Sequence, residues 1–535
     1  MKEKIFSNWK SGLTVALVSI PLSVSLAVAS GTSPAIGIIT AIWAGLVASI
    51  FGGSNYDIVG PAGALSGILG AYSLTHGAET LPMLAIIAGA IIFVSYLFRL
   101  ERYLVFVPAS TIHGFTLGVG LILAFGQLNS AFGLEGLQKH AESILNVKES
   151  FTHIGSSDLV TTSVFLIGLI FLFLAVHFIK KVPGAIILAP LGILLGYLTT
   201  KGIFDFHLIT LADKFPNITP TLFMKPVFNF DPFVIKTAIT VALVAILETM
   251  LCAKIADGMT KTRYNQRKEM LGLSLANIVS GFMGGLPATA VLARTALNVK
   301  SGANHKVSQA INSISILLIS FLLLSTFKYI PMAIIASILV FTAVRMIERE
   351  HFIRMFEHDK KSFFISLLVA FVTVYYDPII GIMAGTTITL LFFVERLSKG
   401  QYDLAANKLG EGMTEIISGE ETPNLKDHCD TLVYSIKGQL AYINAQAHIS
   451  RFESGTNGYK HVVLRMRELY FIDLDGVDAF EEIVEMIQKQ NVEVIVSSIN
   501  PMVEKALEHS KVYNELKSKG LVFTKAREAL AHLGY

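Results

Sequence analysis

Cysteine is almost absent: the chain has two in 535 residues, Cys252 in an apolar run and Cys429 in a polar tail. Two thiols in such unlike surroundings make no disulfide framework. Charge is scarce as well. Asp, Glu, Lys and Arg together make up 16% of the residues, and the formal net charge is +3. So small an excess gives no electrostatic footprint for nucleic acid, and no such partner is expected. The apolar runs show no metal-ligand or nucleophile spacing, and the tail adds no Gly-rich phosphate loop. The chain is therefore not read as an enzyme.

What is present is apolar residues, at 53%. Runs of ~20 of them recur from Gly12 to about Arg396, the mark of a polytopic membrane protein. Spans are read near 12–30, 34–51, 61–74, 82–99, 105–128, 158–179 and 184–200, then near 232–256, 270–284, 290–299, 307–328, 331–347, 362–377 and 379–397. Ala27-Val28-Ala29 mimics a signal-peptidase site. Pro21 interrupts that run, however, and Gly31-Thr32-Ser33-Pro34 turns straight into the next one, so a first transmembrane helix is expected. Clusters such as Arg99 and Arg102, Lys261 to Lys268, and Arg345 to Lys361 all fall on the side of the N-terminus. By the positive-inside rule the N-terminus and the tail are then cytoplasmic, in a multi-pass protein of the cytoplasmic membrane.

The third and tenth spans are short and broken. Gly284-Gly285-Leu286-Pro287 allows a helix only after about Ala290, and Arg294 sits near its start. Gly52-Gly53 precedes an extended piece, and Pro61 is placed at or near the first position of the next helix. Broken helices in corresponding places of two halves point to a transporter binding site, and seven spans per half invert the second half. If the two helix N-termini face each other, their N–H groups and dipole ends make an anion site. Arg294 would add a full charge there; its competing fate is to snorkel to the interface. Glu248 stands alone in an apolar span. A carboxylate there is costly to keep charged and can carry a coupling proton; the competing reading is a structural partner of Arg294. His113 is expected to be a hydrogen-bonded structural group, and Asn277 an interhelical hydrogen bond.

Composition changes after Lys399. Residues 399–427 read as a linker. Strands near 430–436, 461–466 and 492–496 then alternate with helices near 477–488, 503–510 and 524–532, a small soluble α/β domain over 428–535.

Five stretches, in this order and spacing, make the chain resemble the SulP sulfate-permease family with a C-terminal STAS domain. They are Ile20-Pro21-Leu22 with Ala27 to Gly31, Gly52 to Ala64, Glu248 to Thr260, Gly284 to Asn298, and Tyr470 to Val477. The resemblance implies a transmembrane domain over 1–398, built as a 7+7 inverted repeat (about 10–200 and 232–398) with core and gate parts. It implies a homodimer in a lipid membrane and elevator-type alternating access. It places a small anion against the backbone near Ala62, Gly63 and Ala64, the backbone near Leu292 and Ala293, and the Arg294 side chain. Many relatives carry glutamine where this chain has Leu22 and threonine where it has Ala62, so this site would lean on backbone donors and Arg294. Glu248 would couple H⁺; the alternative is Na⁺, which similar bicarbonate carriers with aspartate use. No other cofactor is expected. The reading is a secondary anion transporter, for sulfate, bicarbonate or similar. Alternatives are a Na⁺-coupled bicarbonate or H⁺-coupled dicarboxylate carrier, then a nucleobase carrier or an anion channel. In the STAS loop, Asp475 stands where some relatives have a phosphorylated serine.

Overall fold

The computed structural model describes residues 2–138, 140, 142–179, 183–215, 221–229, 232–407, 414–418, 430–453 and 459–534. Cys429 and part of the stretch read as a linker lie outside them.

Fourteen helices stand at the fourteen expected places. The first half holds α1 (Lys2–Ala29), α2 (Pro34–Phe51), the two-residue strand β1 (Val59–Gly60), α3 (Gly63–His76), α4 (Leu81–Leu97), α5 (Ala109–Phe125), α6 (Leu159–Phe178) and α7 (Gly184–Thr200). The second repeats the pattern: α8 (Pro232–Thr260), α9 (Gln266–Phe282), β2 (Thr289–Ala290), α10 (Leu292–Lys300), α11 (Val307–Leu323) and α12 (Met332–Met346). It closes with α14 (Lys360–Tyr375) and α15 (Pro378–Ser398), after a charged surface helix, α13 (Arg349–His358), that the apolar pattern does not announce. Eight of these helices are long and apolar enough to cross a membrane unaided. Pro34 opens α2 directly after the Gly31 turn, where φ is +76°. Pro61 departs from its expected place. Ala62 is the N-cap of α3, so the proline precedes the cap and stiffens the approach to the helix instead of opening it.

Packing divides the spans. The α4 helix lies on α9 and α8, α2 on α9 and α11, and α1 on α11. The α5 helix packs on α14 and α12, and α6 on α12. Spans of the first half thus pack against spans of the second, so the two halves interlock and do not fold as separate bundles. Outward faces carry Ile167 on α6, Leu318 on α11 and Leu391 on α15, apolar side chains suited to lipid.

The C-terminal unit is a six-stranded sheet in the order β4-β3-β5-β6-β7-β8. Its strands are β3 (Gln401–Asn407), β4 (Thr414–Ser418), β5 (Thr431–Leu440), β6 (His461–Ile472), β7 (Glu493–Ser497) and β8 (Val522–Phe523). The last four run parallel, while β3 is antiparallel to both β4 and β5. This corrects the reading of 399–427 as a linker: β3 pairs along seven residues of β5. Although β3 lies between β4 and β5, its Gln401, Asp403 and Asn407 break up the apolar run that betrays the central parallel strands. The helices are α16 (Ala445–Glu453), α17 (Leu474–Lys489), α18 (Pro501–Leu507), α19 (Lys511–Ser518) and α20 (Ala526–His532). Asp473 caps α17 by accepting from Gly476 N at 2.9 Å.

His448, on α16, is fully buried and hydrogen-bonds the Tyr434 hydroxyl at 2.7 Å. Burial, helped by the nearby Arg451 charge, pushes its pKa down to about 3. The folded domain therefore keeps His448 neutral where an unfolded chain, titrating near 6.5, would take a proton. Stability is unaffected above about pH 6.5. It falls by up to about 1.4 kcal/mol per pH unit as pH drops from there toward 3. Amide exchange in β5 and α16, corrected for intrinsic rates, is expected to speed up between pH 7 and pH 5, and to do so less in His448→Gln. Equal pH dependence in the two proteins would count against it.

Candidate functional site

Both interrupted segments leave helical conformation at glycines. Gly284 takes φ +86°, and a Cβ there would stand 2.2 Å from the Met224 carbonyl oxygen. Only glycine accepts both conditions without strain. The extended pieces then meet as an antiparallel ladder, Val59 opposite Ala290 and Gly60 opposite Thr289.

A two-stranded ladder leaves its outer backbone groups unpaired, at a cost of several kcal/mol each inside a membrane. Side chains from neighbouring helices take up these groups. Gln309 accepts from Val59 N at 3.1 Å and donates to Val59 O at 3.3 Å. The Thr295 hydroxyl accepts from Ile58 N at 3.2 Å, and the Thr249 hydroxyl from Ala290 N at 3.1 Å. Asn277 donates to Ala288 O at 2.9 Å and accepts from Ala288 N at 2.8 Å, and also donates to Leu273 O of its own helix at 2.9 Å, so it ties the broken segment to α9. The Thr40 hydroxyl accepts from Leu286 N at 2.7 Å. Where the first segment begins, one oxygen of buried Glu269 accepts from Gly53 N and Ser54 N at 2.6 and 2.7 Å. Of these, only Asn277 stands out in the sequence as a polar residue to explain. Serine and threonine are common in helices, and nothing local marks which will bond a distant backbone.

The α3 helix leaves one end of the ladder and α10 the other. Their N-caps, Ala62 and Val291, supply no side-chain acceptor. The first N–H groups of α3, around Gly63 and Ala64, and of α10, around Leu292 and Ala293, are thus not capped from their own side chains. Arg294 lies in the first turn of α10 and is 1% exposed, so it does not snorkel. Its Nη1 lies over Gly60, where a Cβ would come within 2.9 Å, and its Nε and Nη2 have no hydrogen-bond partner. Glu248 sits on α8 one residue before Thr249, whose hydroxyl meets that of Thr289 at 2.8 Å. Its Oε2 is buried without a partner. Arg294 and Glu248 attract each other across the site, yet the guanidinium Nε and Nη2 and the Oε2 remain unpaired. A closed structural ion pair would have satisfied them.

Apolar side chains close one side. A Cβ on Gly63 would lie 3.0 Å from Leu123 Cδ2 on α5 and 3.4 Å from Met346 Sδ on α12. The α1 helix packs on both α3 and α10 and adds two buried hydroxyls without partners, Ser19 and Ser23, which the sequence reading did not single out. His113 is held by Glu348 at 3.1 Å. The arrangement gathers two uncapped helix starts and one unsatisfied guanidinium, with a carboxyl group nearby. That is a set of donors for an anion beside a group that can hold a proton or a cation.

Residues 5–369 match the sulfate permease family and residues 422–529 the STAS domain. The chain is 29% identical to the putative sulfate transporter YvdB of Bacillus subtilis, over 96% of this chain and 95% of that one. It is 25% identical to the bicarbonate transporter BicA of a Picosynechococcus strain, over 73% of this chain and 70% of the relative. Among solved structures, the murine solute carrier 26 family member A9 anion transporter in its inward-facing state aligns with a TM-score of 0.82. That alignment covers 99% of this chain and 92% of the other at 14% identity.

Proposed function

The chain belongs to the sulfate permease family and is a membrane-embedded anion transporter, not an enzyme; from that premise we propose that it is a secondary transporter of a small oxyanion such as sulfate or bicarbonate, with H⁺ as its coupling ion. The observation that carries this reading is Arg294, a buried guanidinium with two unpaired donor groups between two uncapped helix starts. An unpaired buried charge costs several kcal/mol, and an anion bound there offsets that cost. The anion is held by Arg294 together with backbone N–H groups near Ala62, Gly63 and Ala64 and near Leu292 and Ala293. Both sets of donors sit on the part formed by α1–α4 and α8–α11. The helices that close the site, α5 and α12, belong to the other part. That division supports an elevator-type cycle, in which the first part carries the anion past the second. Glu248 accompanies the anion as the proton carrier. The N-terminus and the STAS domain face the cytoplasm, and the working unit is a homodimer in the cytoplasmic membrane. Residues 1–398 form the transport domain.

Purified protein in liposomes tests this, with sulfate, bicarbonate, chloride and dicarboxylates offered under separately imposed H⁺ and Na⁺ gradients. The expected result is saturable uptake of one of the oxyanions, driven by an inward proton gradient without Na⁺. Uptake that requires Na⁺ and ignores pH makes Glu248 a sodium ligand and bicarbonate the leading substrate. Flux that does not saturate makes the protein a channel.

A further inference from the structure

Where α5 meets the start of α13, His113, Glu348 and His351 bring one ligand atom each to within 4.8 Å of one another. His113 lies in the second turn of α5. Glu348 is the N-cap of α13, and His351 is in its first turn. Both rings turn Nδ1 toward the same carboxylate oxygen: His113 Nδ1 and His351 Nδ1 each lie 3.1 Å from Glu348 Oε2. The imidazoles stack, with centroids 4.5 Å apart and an angle of 27°. Four ligands at about 2.0–2.1 Å around zinc stand roughly 3.3 Å from one another, close to the two 3.1 Å separations from Glu348 Oε2. We propose that His113, Glu348 and His351 form a binding site for a borderline divalent transition metal, Zn²⁺ in the first place, that ties α5 to α13.

The donor set selects the class of ion. Two imidazoles and one carboxylate suit Zn²⁺, Co²⁺ or Ni²⁺, whereas Mg²⁺ and Ca²⁺ prefer oxygen alone. Exposure is graded across the cluster. The His113 side chain is 11% exposed, Glu348 18% and His351 49%, so the cluster opens through His351 and leaves a position for water or a further ligand. The sequence conceals the site because His113 and the Glu348/His351 pair are far apart in the chain and show no ligand spacing. The competing arrangement is a plain hydrogen-bonded clamp, each ring donating to the carboxylate.

The test uses full-length, tag-free protein stripped with EDTA and titrated with Zn²⁺ by calorimetry, and with Co²⁺ by visible absorption. One Zn²⁺ per chain is expected, with tetrahedral-type Co²⁺ bands that Zn²⁺ displaces and no response to Mg²⁺. His113→Ala, His351→Ala and Glu348→Gln should each weaken Zn²⁺ binding about tenfold or more. His351 is half exposed, so its variant should keep the metal-free melting temperature and separates ligand loss from misfolding. No Zn²⁺ binding by the wild type, or binding unchanged in the His113→Ala/His351→Ala double variant, would overturn the site and leave the clamp.

Discussion

Replacing Arg294 with alanine is expected to weaken anion binding by roughly 10- to 150-fold while leaving the anion-free protein at least as heat-stable as the wild type. The two halves of this expectation have different causes. Charge-assisted hydrogen bonds from a guanidinium contribute about 1.5–3 kcal/mol, which sets the loss of affinity. The anion-free protein, by contrast, carries a buried cation whose Nε and Nη2 bond nothing, and removing it removes a desolvation penalty. A structural arginine would behave the other way, with stability falling and affinity following only through misfolding. Arg294→Lys should restore part of the affinity, because an ammonium keeps the charge but not the planar fork. Calorimetric Kd values for the preferred anion, with melting temperatures recorded with and without it, decide the matter. Wild-type affinity in a well-folded Arg294→Ala protein removes Arg294 from the site.

Glu248→Gln is expected to bind anion at least as well as the wild type but to lose accumulation driven by an inward proton gradient. A charged Glu248 and a bound anion repel; two like charges roughly 6 Å apart at an effective dielectric near 20 cost about 3 kcal/mol. A protonated Glu248 does not, so proton and anion favour each other at the site, and moving the anion alone is penalised. Glutamine fixes the uncharged state. The anion then crosses in both directions without a proton to drive it, and uptake stops at equilibrium. Liposomes with an imposed pH gradient give the measurement: steady-state accumulation falls to the passive level while anion exchange across the membrane persists. If Glu248→Gln still concentrates anion under a proton gradient, the coupling proton rides elsewhere.

The helices were legible because their signals are local. Apolar runs set the lengths, Gly31 to Pro34 set the first turn, and paired glycines followed by proline marked both interruptions. Arg294 and Glu248 could be picked out for a related reason: a lone charge in an apolar run has no cheap explanation. The ladder and its supports were not legible. Val59 meets Ala290, and Gln309 meets Val59, through pairings that depend on how two halves pack, and a glutamine in an apolar helix can serve many ends. The strands β3 and β4 escaped notice because Gln, Asp, Asn, Thr, Glu and Ser interrupt their apolar residues and give them a linker-like composition. The cluster at His113 escaped because the two histidines sit about 240 residues apart and are brought together only by the turn into α13.

The supports of the first broken segment have a consequence for the order of events at the ribosome. Gly53, Ser54, Tyr56, Ile58 and Val59 find their partners in Glu269, Asn298, Thr295, Gln309 and Ala290, all from the second half of the chain. A nascent chain that has emerged only as far as α7 holds none of them. Only the local bonds from Tyr56 N and Asp57 N to the Ser54 hydroxyl are open to it within this segment. Closure spans about 230 residues of sequence, so these are late, long-range contacts. The site proposed for the anion is therefore complete only once the second half has packed against the first and supplied these hydrogen bonds.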